Sequence, residues 1–392
     1  MQTRQRPKEQ NDMNANAMCF NKDGCFRILQ VSDPQDLVHP RKAMINMLDA
    51  AYDSLHPDLV LFTGDNTLGN HLLDFGPFRI KTVKKPAVTL RQMRKALAGI
   101  LTPVEKRGIP FAMIYGNHDD MNDVSKKEQF SLYRAYECCL AMNDSDPAVD
   151  CDTFHIPICS SDGKPLWNIY MLDSAWNDET GQYWRIKEKT VAWYRRTSEQ
   201  LKKENDGNPV PSLLFLHEPL PQIRDLFISC DKKYPGAVYD RDEWLCIDPS
   251  KASGVIGEPV SPCEDPFGLY EAIKEQNDVL AVISGHDHLN CFDGRTNDGV
   301  RMIQTAAASF RCYGGRVRGV RLFTLRKDDP CKFQSQFFTY DMLCGTNFRS
   351  QARYFWDADD KAKEKYTFLG GTALLAAGAA GAYFGLRLQN GK

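Results

Sequence analysis

Five short polar motifs occur along the chain, and each begins where a run of apolar residues ends. They are Ser32-Asp33-Pro34-Gln35, Gly64-Asp65-Asn66, Gly116-Asn117-His118-Asp119, His217-Glu218-Pro219 and Gly285-His286-Asp287-His288. Their side chains supply two carboxylates, two amides and three imidazoles, a mixed oxygen and nitrogen set that suits Zn²⁺, Mn²⁺, Fe or Mg²⁺. The candidate metal ligands are Asp33, Gln35, Asp65, Asn117, His217, His286 and His288. This set is too large for one ion, so it predicts two divalent metal ions.

Two adjacent ions indicate a particular chemistry. A metal pair about 3.5–4 Å apart can bind both the attacking oxygen and the phosphoryl oxygens of an in-line displacement, and it lowers the pKa of a bridging water. A ligand shared by both ions has to be a carboxylate, since only a carboxylate offers two anionic oxygens, and Asp65 is the natural candidate. The motifs therefore predict hydrolysis of a phosphoester by a hydroxide that bridges two metals.

The elements that must position these motifs form an alternating pattern. Apolar runs with the length and composition of buried strands occupy residues 26–31, 58–64, 110–116, 168–173, 212–217 and 279–285. Helical spacing at 41–55 and 90–106 separates the first three runs, which predicts an α/β domain. Five motifs at strand ends can converge, because ligands gather at the carboxyl ends of strands in such sheets. Shorter strands after residue 285 predict a second, more antiparallel sheet, and residues 218–275 are interpreted as an insertion over the site.

Composition excludes several classes of protein. With 392 residues, 42% hydrophobic and 26% charged, the chain can bury a substantial core and is neither disordered nor fibrous. A formal net charge of −2 gives no global attraction to nucleic acid, so no nucleic-acid partner is expected. The thirteen cysteines are irregularly spaced without a C-x-x-C pair, which argues against a zinc ribbon and favours reduced thiols in a cytosolic setting.

The two ends of the chain differ from the region between them. Residues 1–25 are polar and lack periodicity, which predicts a disordered leader without a secretory signal. Residues 367–386 carry no charge and are long enough as a helix to cross a bilayer core of about 30 Å. They predict a transmembrane tail anchor, joined to the domain by a linker at 346–366. The alternative is a buried or interfacial helix, because alanine and glycine make the stretch only moderately apolar.

The wording around the motifs carries a resemblance to a known family. LQVSDPQ, LFTGDN, YGNHDD, LHEPLP and SGHDHLN are similar to the motifs of the calcineurin-like metallophosphoesterase superfamily, and within it to the purple-acid-phosphatase-related phosphoesterases of plants and fungi. The resemblance covers residues 26–345. It implies an αββα two-sheet sandwich, with the dimetal site at one rim of the sheets.

Carried over position by position, the resemblance assigns each donor. Asp33, Gln35, Asp65 and His288 would hold the first metal, and Asp65, Asn117, His217 and His286 would hold the second. His118 would lie outside the coordination shell and act on the substrate, stabilising charge or protonating the leaving oxygen.

Two positions depart from the superfamily pattern. Gln35 stands where most members have histidine, and its neutral oxygen is a weaker ligand, so the first site is expected to bind metal loosely or to prefer a harder ion. Leu68 stands where purple acid phosphatases carry the tyrosine that gives iron its colour. No purple Fe(III) centre is expected.

The resemblance implies a phosphomonoesterase that acts on a phosphoprotein or a small phosphoester. A phosphodiesterase or a nucleotide pyrophosphohydrolase is a second interpretation, because the same dimetal site supports all three reactions. A third interpretation is a membrane-tethered scaffold that has lost catalysis through Gln35. The anchor places the catalytic domain on the cytosolic side of the endoplasmic reticulum, the mitochondrial outer membrane or the peroxisome, and the sequence does not choose among them.

Overall fold

A computed structural model describes residues 18–69, 85–140, 149–174 and 185–358, with the backbone of two short strands between residues 74 and 79. The predicted anchor at 367–386 and residues 1–17 of the predicted leader lie outside the described residues. Among the residues that are described, no helix is both long enough and apolar enough to cross a membrane.

The described elements alternate between strands and helices. The strands are β1 (Met18–Cys19), β2 (Cys25–Val31), β3 (Leu59–Thr63), β4 (Asp74–Phe75), β5 (Phe78–Arg79), β6 (Phe111–Ile114), β7 (Phe154–Cys159), β8 (Pro165–Met171), β9 (Ser212–Phe215), β10 (Phe227–Ser229), β11 (Val238–Asp240), β12 (Glu243–Ile247), β13 (Ala252–Val255), β14 (Val279–Ser284), β15 (Cys291–Arg295), β16 (Arg301–Gln304), β17 (Gly319–Arg326) and β18 (Phe333–Thr339). The helices are α1 (Lys42–Leu55), α2 (Pro86–Lys106), α3 (Asn117–Asp120), α4 (Lys126–Tyr133), α5 (Glu188–Glu204), α6 (Leu269–Gln276), α7 (Tyr340–Cys344) and α8 (Phe348–Asp357). Short 3-10 helices lie at Pro221–Leu226 and Gly315–Val317.

One sheet has five strands in the order β18-β17-β2-β3-β6. β2, β3 and β6 run parallel, and β17 and β18 are antiparallel to their neighbours. Val31 lies opposite Phe62, and Thr63 lies opposite Ile114, so the three parallel strands end at the same edge. The loops that follow them therefore start side by side.

The other large sheet has eight strands in the order β1-β7-β8-β9-β14-β16-β15-β13. Its centre is parallel, since β8, β9, β14 and β16 all run the same way. Phe215 at the end of β9 lies opposite Met171 of β8 and Ile283 of β14. The loops after β9 and β14 consequently leave the sheet together.

The two sheets pack face to face, with helices on their outer surfaces. In β9, Leu213 and Phe215 belong to the core between the sheets, whereas Leu214 belongs to the core beneath α5 and α6. The Phe215 ring meets the Phe323 ring of the five-stranded sheet at 5.6 Å between centroids. This alternation follows from the two-residue period of a strand that is buried on both faces.

Each outer helix buries one face of its side chains against a sheet. In α1 the buried residues recur at helical spacing against the five-stranded sheet; they are Ala43, Met44, Met47, Leu48, Ala51 and Tyr52. α2 packs beside α1, while α5 and α6 pack together on the eight-stranded sheet. The layers follow the predicted order of helices, sheet, sheet, helices.

The predicted insertion at 218–275 contains a separate small sheet in the order β10-β12-β11. The insertion contacts two of the motifs through its backbone. The Cys263 N–H donates to Pro219 O at 2.9 Å, and the Ser261 N–H donates to Asp287 Oδ1 at 3.2 Å. The insertion therefore lies beside the motif loops.

Two predicted boundaries are wrong. The sequence predicts a disordered leader up to residue 25. In the structure, Met18–Cys19 form β1, which pairs with β7 opposite Ile158 and Cys159, so residues 18 and 19 belong to the eight-stranded sheet. The linker was expected to begin at residue 346, but α8 packs on the domain through the buried side chain of Tyr354. The backbone N–H of Ala43 also donates to the Asp357 carboxylate at 2.7 Å, which fixes the end of α8 to α1.

None of the thirteen cysteines is in a disulfide, and all are free thiols.

Candidate metal centre

All five motifs meet at the edge where the parallel strands of both sheets end. Three of their residues, Asp33, Asp65 and His286, adopt a left-handed backbone with φ of 50°, 48° and 72°. Such a conformation costs an L-residue about 1–3 kcal/mol and is concentrated at functional sites. The loops therefore bear strain at the positions that carry candidate ligands.

Glycines allow the loops to approach one another closely. A Cβ atom at Gly116 would overlap the carboxylate of Asp65 and the ring of His217. A Cβ atom at Gly285 would overlap Ser32 and the Asp33 carboxylate. The glycine in each of these motifs is thus required for the loops to converge.

Asp33, Asp65 and His217 form the centre of the cluster. Each offers one donor atom, and these three atoms all lie within 4.8 Å of one another. His217 Nε2 is 3.3 Å from Asp65 Oδ1 and 4.0 Å from Asp33 Oδ1. All three side chains are buried, and Asp33 Oδ1 has no hydrogen-bond partner among the described residues. An unpartnered buried carboxylate oxygen is costly unless a cation meets it.

The tautomer of His217 also bears on where a cation would bind. Its Nδ1 lies 2.9 Å from Thr63 O, and because a carbonyl can only accept, Nδ1 carries the proton. Nε2 is then the ring atom that faces the Asp65 carboxylate and lies 3.2 Å from Asn117 Oδ1, both of which are acceptors. Burial lowers the pKa of His217, but the carboxylates of Asp65, Glu218 and Asp33 outweigh burial and raise it well above its ordinary value. The field therefore favours a positive charge at Nε2, which a proton or a metal ion can supply.

His288 and Gln35 complete the side of the cluster next to Asp33. His288 Nδ1 lies 2.9 Å from Tyr313 O, so its Nε2 also presents a lone pair, 3.6 Å from Asp33 Oδ1. The Gln35 amide nitrogen lies 3.0 Å from His288 Nε2 and 3.4 Å from Asp65 Oδ2, while Gln35 Oε1 is buried without a partner among the described residues. Rotating the amide by half a turn would exchange its oxygen and nitrogen, which are alike in shape.

His286 lies on the opposite side of His217, with 5.1 Å between ring centroids. Its backbone N–H donates to Asp33 Oδ2 at 3.1 Å. Burial lowers the pKa of His286 to about 3 and that of His288 to about 4, so both rings are neutral near pH 7. Neutral imidazole is the form that binds metals.

His118 differs from the other motif histidines because its side chain is 30% exposed. Its backbone N–H donates to Asp65 Oδ1 at 2.8 Å, while its ring Nε2 stays 4.0 Å from Asp65 Oδ2. His118 is therefore fixed beside the cluster with its side chain partly open to solvent.

Glu218 is a site residue to which the sequence analysis gave no role. It is fully buried, and it forms a second group of donor atoms with His217 and His286, again within 4.8 Å of one another. The only sequence signal was its place in the motif next to His217.

The other acidic residues of the motif loops hold backbone in place. The Asp119 carboxylate accepts from the N–H groups of Asn66, Thr67 and Gly116. Asp36 accepts from the N–H of Leu37 and of Arg41. These carboxylates stabilise the loops, which explains why they are not part of the donor clusters.

Histidines outside the motifs stay away from the centre wherever they are described. His39 and His56 are exposed, and His155 Nδ1 lies 2.9 Å from Asn168 Oδ1. His71 lies outside the described residues.

The family model of the calcineurin-like phosphoesterases matches residues 26–290, which include all five motifs. The chain belongs to the calcineurin-like phosphoesterase family. The family and the donor clusters together support a metal-dependent phosphoesterase, with side chains that could hold the divalent ions such enzymes use.

Curated relatives come from plants and fungi. The chain is 25% identical over 353 residues to "probable inactive purple acid phosphatase 14" of Arabidopsis thaliana, covering 79% of this chain and 78% of that protein. It is 24% identical over 275 residues to phosphatase DCR2 of Saccharomyces cerevisiae, covering 66% of this chain and 39% of the yeast protein. These relatives confirm the resemblance drawn from the motifs.

Solved structures of similar shape include GAP50, the anchor in the inner membrane complex of Plasmodium. It is 13% identical to this chain with a TM-score of 0.47, and the match covers 81% of this chain and 86% of that one. A dimetal phosphatase from Danio rerio is 12% identical with a TM-score of 0.43 over 80% of this chain and 99% of that one. Both TM-scores lie below 0.5, so the family assignment rests on the sequence matches.

Proposed function

We propose that this calcineurin-like phosphoesterase is a phosphomonoesterase that requires two divalent metal ions. The observation that carries the proposal is the convergence of lone-pair atoms from Asp33, Asp65 and His217 around a buried point. Among the described residues, no lysine or arginine forms an ion pair with these carboxylates. The donor set therefore fits metal ions, because the described residues bring only histidines, and no lysine or arginine, to these carboxylates.

We assign the ligands to two ions as the family resemblance implies. Asp33, Gln35, Asp65 and His288 would hold one ion, and Asp65, Asn117, His217 and His286 would hold the other. When bound, such ions lower the pKa of water and withdraw charge from a phosphoryl group.

We assign to His118 the role of acting on the leaving group, and its contacts support that role. Its backbone is held by Asp65, and its partly exposed ring can meet an ester oxygen from the solvent side. A proton delivered there would neutralise the alkoxide that leaves.

The test is hydrolysis of a chromogenic phosphomonoester and its diester analogue by the full chain, stripped of metal and resupplied with Mn²⁺, Zn²⁺, Mg²⁺ or Fe²⁺. The proposal expects metal-dependent monoester turnover that exceeds diester turnover. Faster diester turnover would instead make the chain a phosphodiesterase, and no turnover with any ion would contradict an enzyme of either kind.

A second candidate function, a catalytically weak scaffold, is favoured by one observation. Gln35 lies against His288 and Asp65, and its neutral amide is a weaker metal ligand than the histidine that the sequence resemblance leads us to expect at this position. Three plant relatives also carry the name probable inactive purple acid phosphatase.

Gln35→His separates the two candidates. If Gln35 weakens the first site, the histidine variant binds the first ion more tightly, and its turnover saturates at a lower metal concentration. A full complement of two ions in the unmodified chain, with no gain in the variant, would rule out the scaffold.

Membrane attachment is part of the proposal and rests on the composition of residues 367–386. A tail anchor there would leave the phosphoesterase domain facing the cytosol, at an endoplasmic reticulum, mitochondrial or peroxisomal surface. Extraction of cell membranes at alkaline pH tests it: the full chain should stay with the membranes, and a chain ending at residue 358 should be released.

A further inference from the structure

Glu218 combines complete burial with an incomplete set of partners. Its Oε2 accepts from the Ser174 hydroxyl at 2.6 Å, while its Oε1 has no hydrogen-bond partner among the described residues. Leaving a buried carboxylate oxygen without a partner costs free energy, and a bound cation is one partner that removes this cost.

The carboxylate is also held in one orientation. The Ser174 hydroxyl that donates to Glu218 accepts in turn from the backbone N–H groups of His217 and Glu218, both at 3.1 Å. Ser174 thus ties one oxygen of the carboxylate to the backbone and leaves the other to the cluster. One donor atom from each of Glu218, His217 and His286 falls within 4.8 Å of the others, which is close enough for a single ion to reach all three.

We propose that Glu218 is an additional carboxylate ligand of the second ion, the one assigned to Asp65, Asn117, His217 and His286. This inference rests on the proposed function, because it requires that ion to bind. Two divalent ions bring four positive charges, against which Asp33 and Asp65 supply two negative ones. Glu218 would neutralise one more of these four positive charges within the buried site. A carboxylate ligand also favours harder ions such as Mn²⁺ over Zn²⁺.

The experiment titrates Mn²⁺ into the metal-stripped full chain by calorimetry and counts bound ions by elemental analysis. Glu218→Gln keeps the shape and can still accept from Ser174, but it removes the anionic oxygen. The expected result is a loss of at least about tenfold in Mn²⁺ affinity at one of the two sites, with the other site unchanged.

A second variant and a control keep the test decisive. Glu218→Asp retains the charge on a shorter side chain and is expected to weaken the same site. Glu243→Gln removes an exposed carboxylate on β12 that accepts from the Ser229 hydroxyl and belongs to neither donor cluster, so it should retain both ions with unchanged affinity.

The outcomes separate this inference from the proposed function. If the unmodified chain binds no Mn²⁺, the proposed function fails and the role of Glu218 fails with it. If the unmodified chain binds two ions and both Glu218 variants match its affinities, only the role of Glu218 is overturned. In Co²⁺-loaded protein, loss of a ligand should also change the visible absorption of Glu218→Gln but not that of Glu243→Gln.

A different observation concerns the surface formed by Met342, Phe348 and Trp356, which we call the α8 surface. Met342 is 57% exposed, Phe348 is 89% exposed and Trp356 is 72% exposed. Phe348 and Trp356 lie eight residues apart on α8 and so share one face, opposite the buried Tyr354. Large apolar side chains grouped at this exposure mark a contact surface.

Basic side chains border the same surface. Lys42, Arg349 and Arg353 line a groove together with Phe348 and Trp356. Aromatic rings flanked by arginine and lysine suit the headgroup region of a bilayer, where the rings insert and the cations meet lipid phosphates. The uncharged segment 367–386 begins nine residues after Ala358, the last described residue.

We infer that the α8 surface lies against the lipid headgroups of the membrane that holds the chain. This inference rests on the proposed membrane anchor and is independent of the metal centre. Contact at α8 would fix the orientation of the domain over the bilayer, so that the domain would not rotate freely on its tether.

Fluorescence quenching tests this arrangement in the full chain, reconstituted into phosphatidylcholine vesicles with and without brominated acyl chains. The expected result is a quenched component that disappears in Trp356→Phe and persists in Trp244→Phe, which removes a tryptophan on β12. Equal quenching in the two variants would overturn the inference. Failure of the chain to float with vesicles would overturn the anchor as well.

Discussion

Two groups of buried carboxylates lie near each other in this fold, and they are neutralised in opposite ways. In the first group, lysines meet the acids. Lys126 Nζ is 2.7 Å from Asp173 Oδ1, 3.7 Å from Asp120 Oδ1 and 3.8 Å from Asp152 Oδ2, and Lys187 bonds to Asp150. We call this group lysine-paired, because lysines of the chain meet its carboxylates.

In the second group, Asp33, Asp65 and Glu218 have only histidines as cationic partners among the described residues. Buried oxygens without hydrogen bonds to described residues occur in both groups, on Asp33 and Glu218 here and on Asp152 in the lysine-paired group. Both groups consist of acidic side chains, so acidity does not distinguish a structural cluster from a metal centre. The presence or absence of a lysine around the carboxylates, among the residues that the structure describes, does.

The largest effect is expected from Asp65→Asn, which removes the carboxylate shared by both predicted ions. Metal content should fall and turnover should drop to the background rate, measured by elemental analysis and monoester hydrolysis. The matched control is Asp162→Asn, at an exposed turn far from the centre in sequence. Retained metal and turnover in Asp65→Asn would place the bridge on another residue.

Lys126→Met should destabilise the fold by about 3–5 kcal/mol, because it leaves buried carboxylates of the lysine-paired group without their main cation. Urea unfolding measures the loss. Added Mn²⁺ should not restore stability, which is the point of contrast with the metal centre. Lys164→Met, at an exposed pair with Asp206, is the control and should unfold as the unmodified chain does. Rescue of Lys126→Met by metal would erase the distinction between the groups.

His118→Ala should reduce turnover by about a hundredfold or more while metal content stays nearly unchanged, because the ring lies outside the donor clusters and is proposed to act on the leaving oxygen. Hydrolysis rates and metal counts on the same preparation check this. A metal loss equal to that of Asp65→Asn would mean that His118 is a ligand.

A smaller effect is expected from Asp152→Asn on the pH dependence of stability. Burial raises the pKa of Asp152 to about 7, from an ordinary value of 3.8. The folded state then holds its proton more tightly than the unfolded state, so this stabilisation is complete below pH 4 and is lost as pH rises to 7. The variant should show a flatter free energy of unfolding between these limits. If the free energy of unfolding of the variant and of the unmodified chain changed equally with pH, the proton that is retained in the folded state would belong to another carboxyl group.

The motif positions could be predicted because each follows a strand in a parallel region, and register then brings the loops together. The tautomers of His217 and His288 could not, since they depend on the carbonyls of Thr63 and Tyr313, far away in sequence. Glu218 escaped notice for the same reason, because its burial and orientation depend on Ser174, which reaches it from the end of another strand.

The errors at the two ends have local causes. A two-residue strand such as β1 leaves no periodic signal in the sequence. α8 exposes Phe348 and Trp356, so its apolar pattern does not resemble that of a helix with a single buried stripe. Its burial of Tyr354 against Phe310 and Tyr340 is a tertiary contact that spacing alone does not show.

The position of the centre at the meeting of two sheets has a consequence for folding. Asp33, Asp65 and Asn117 follow strands of the five-stranded sheet, whereas His217 and His286 follow strands of the eight-stranded sheet. The centre therefore cannot assemble in either sheet alone, and it becomes complete only when contacts distant in sequence have formed. Metal should bind late in folding and stabilise the packing of the two sheets against each other. Loss of the ions should therefore weaken the interface between the sheets before either sheet unfolds.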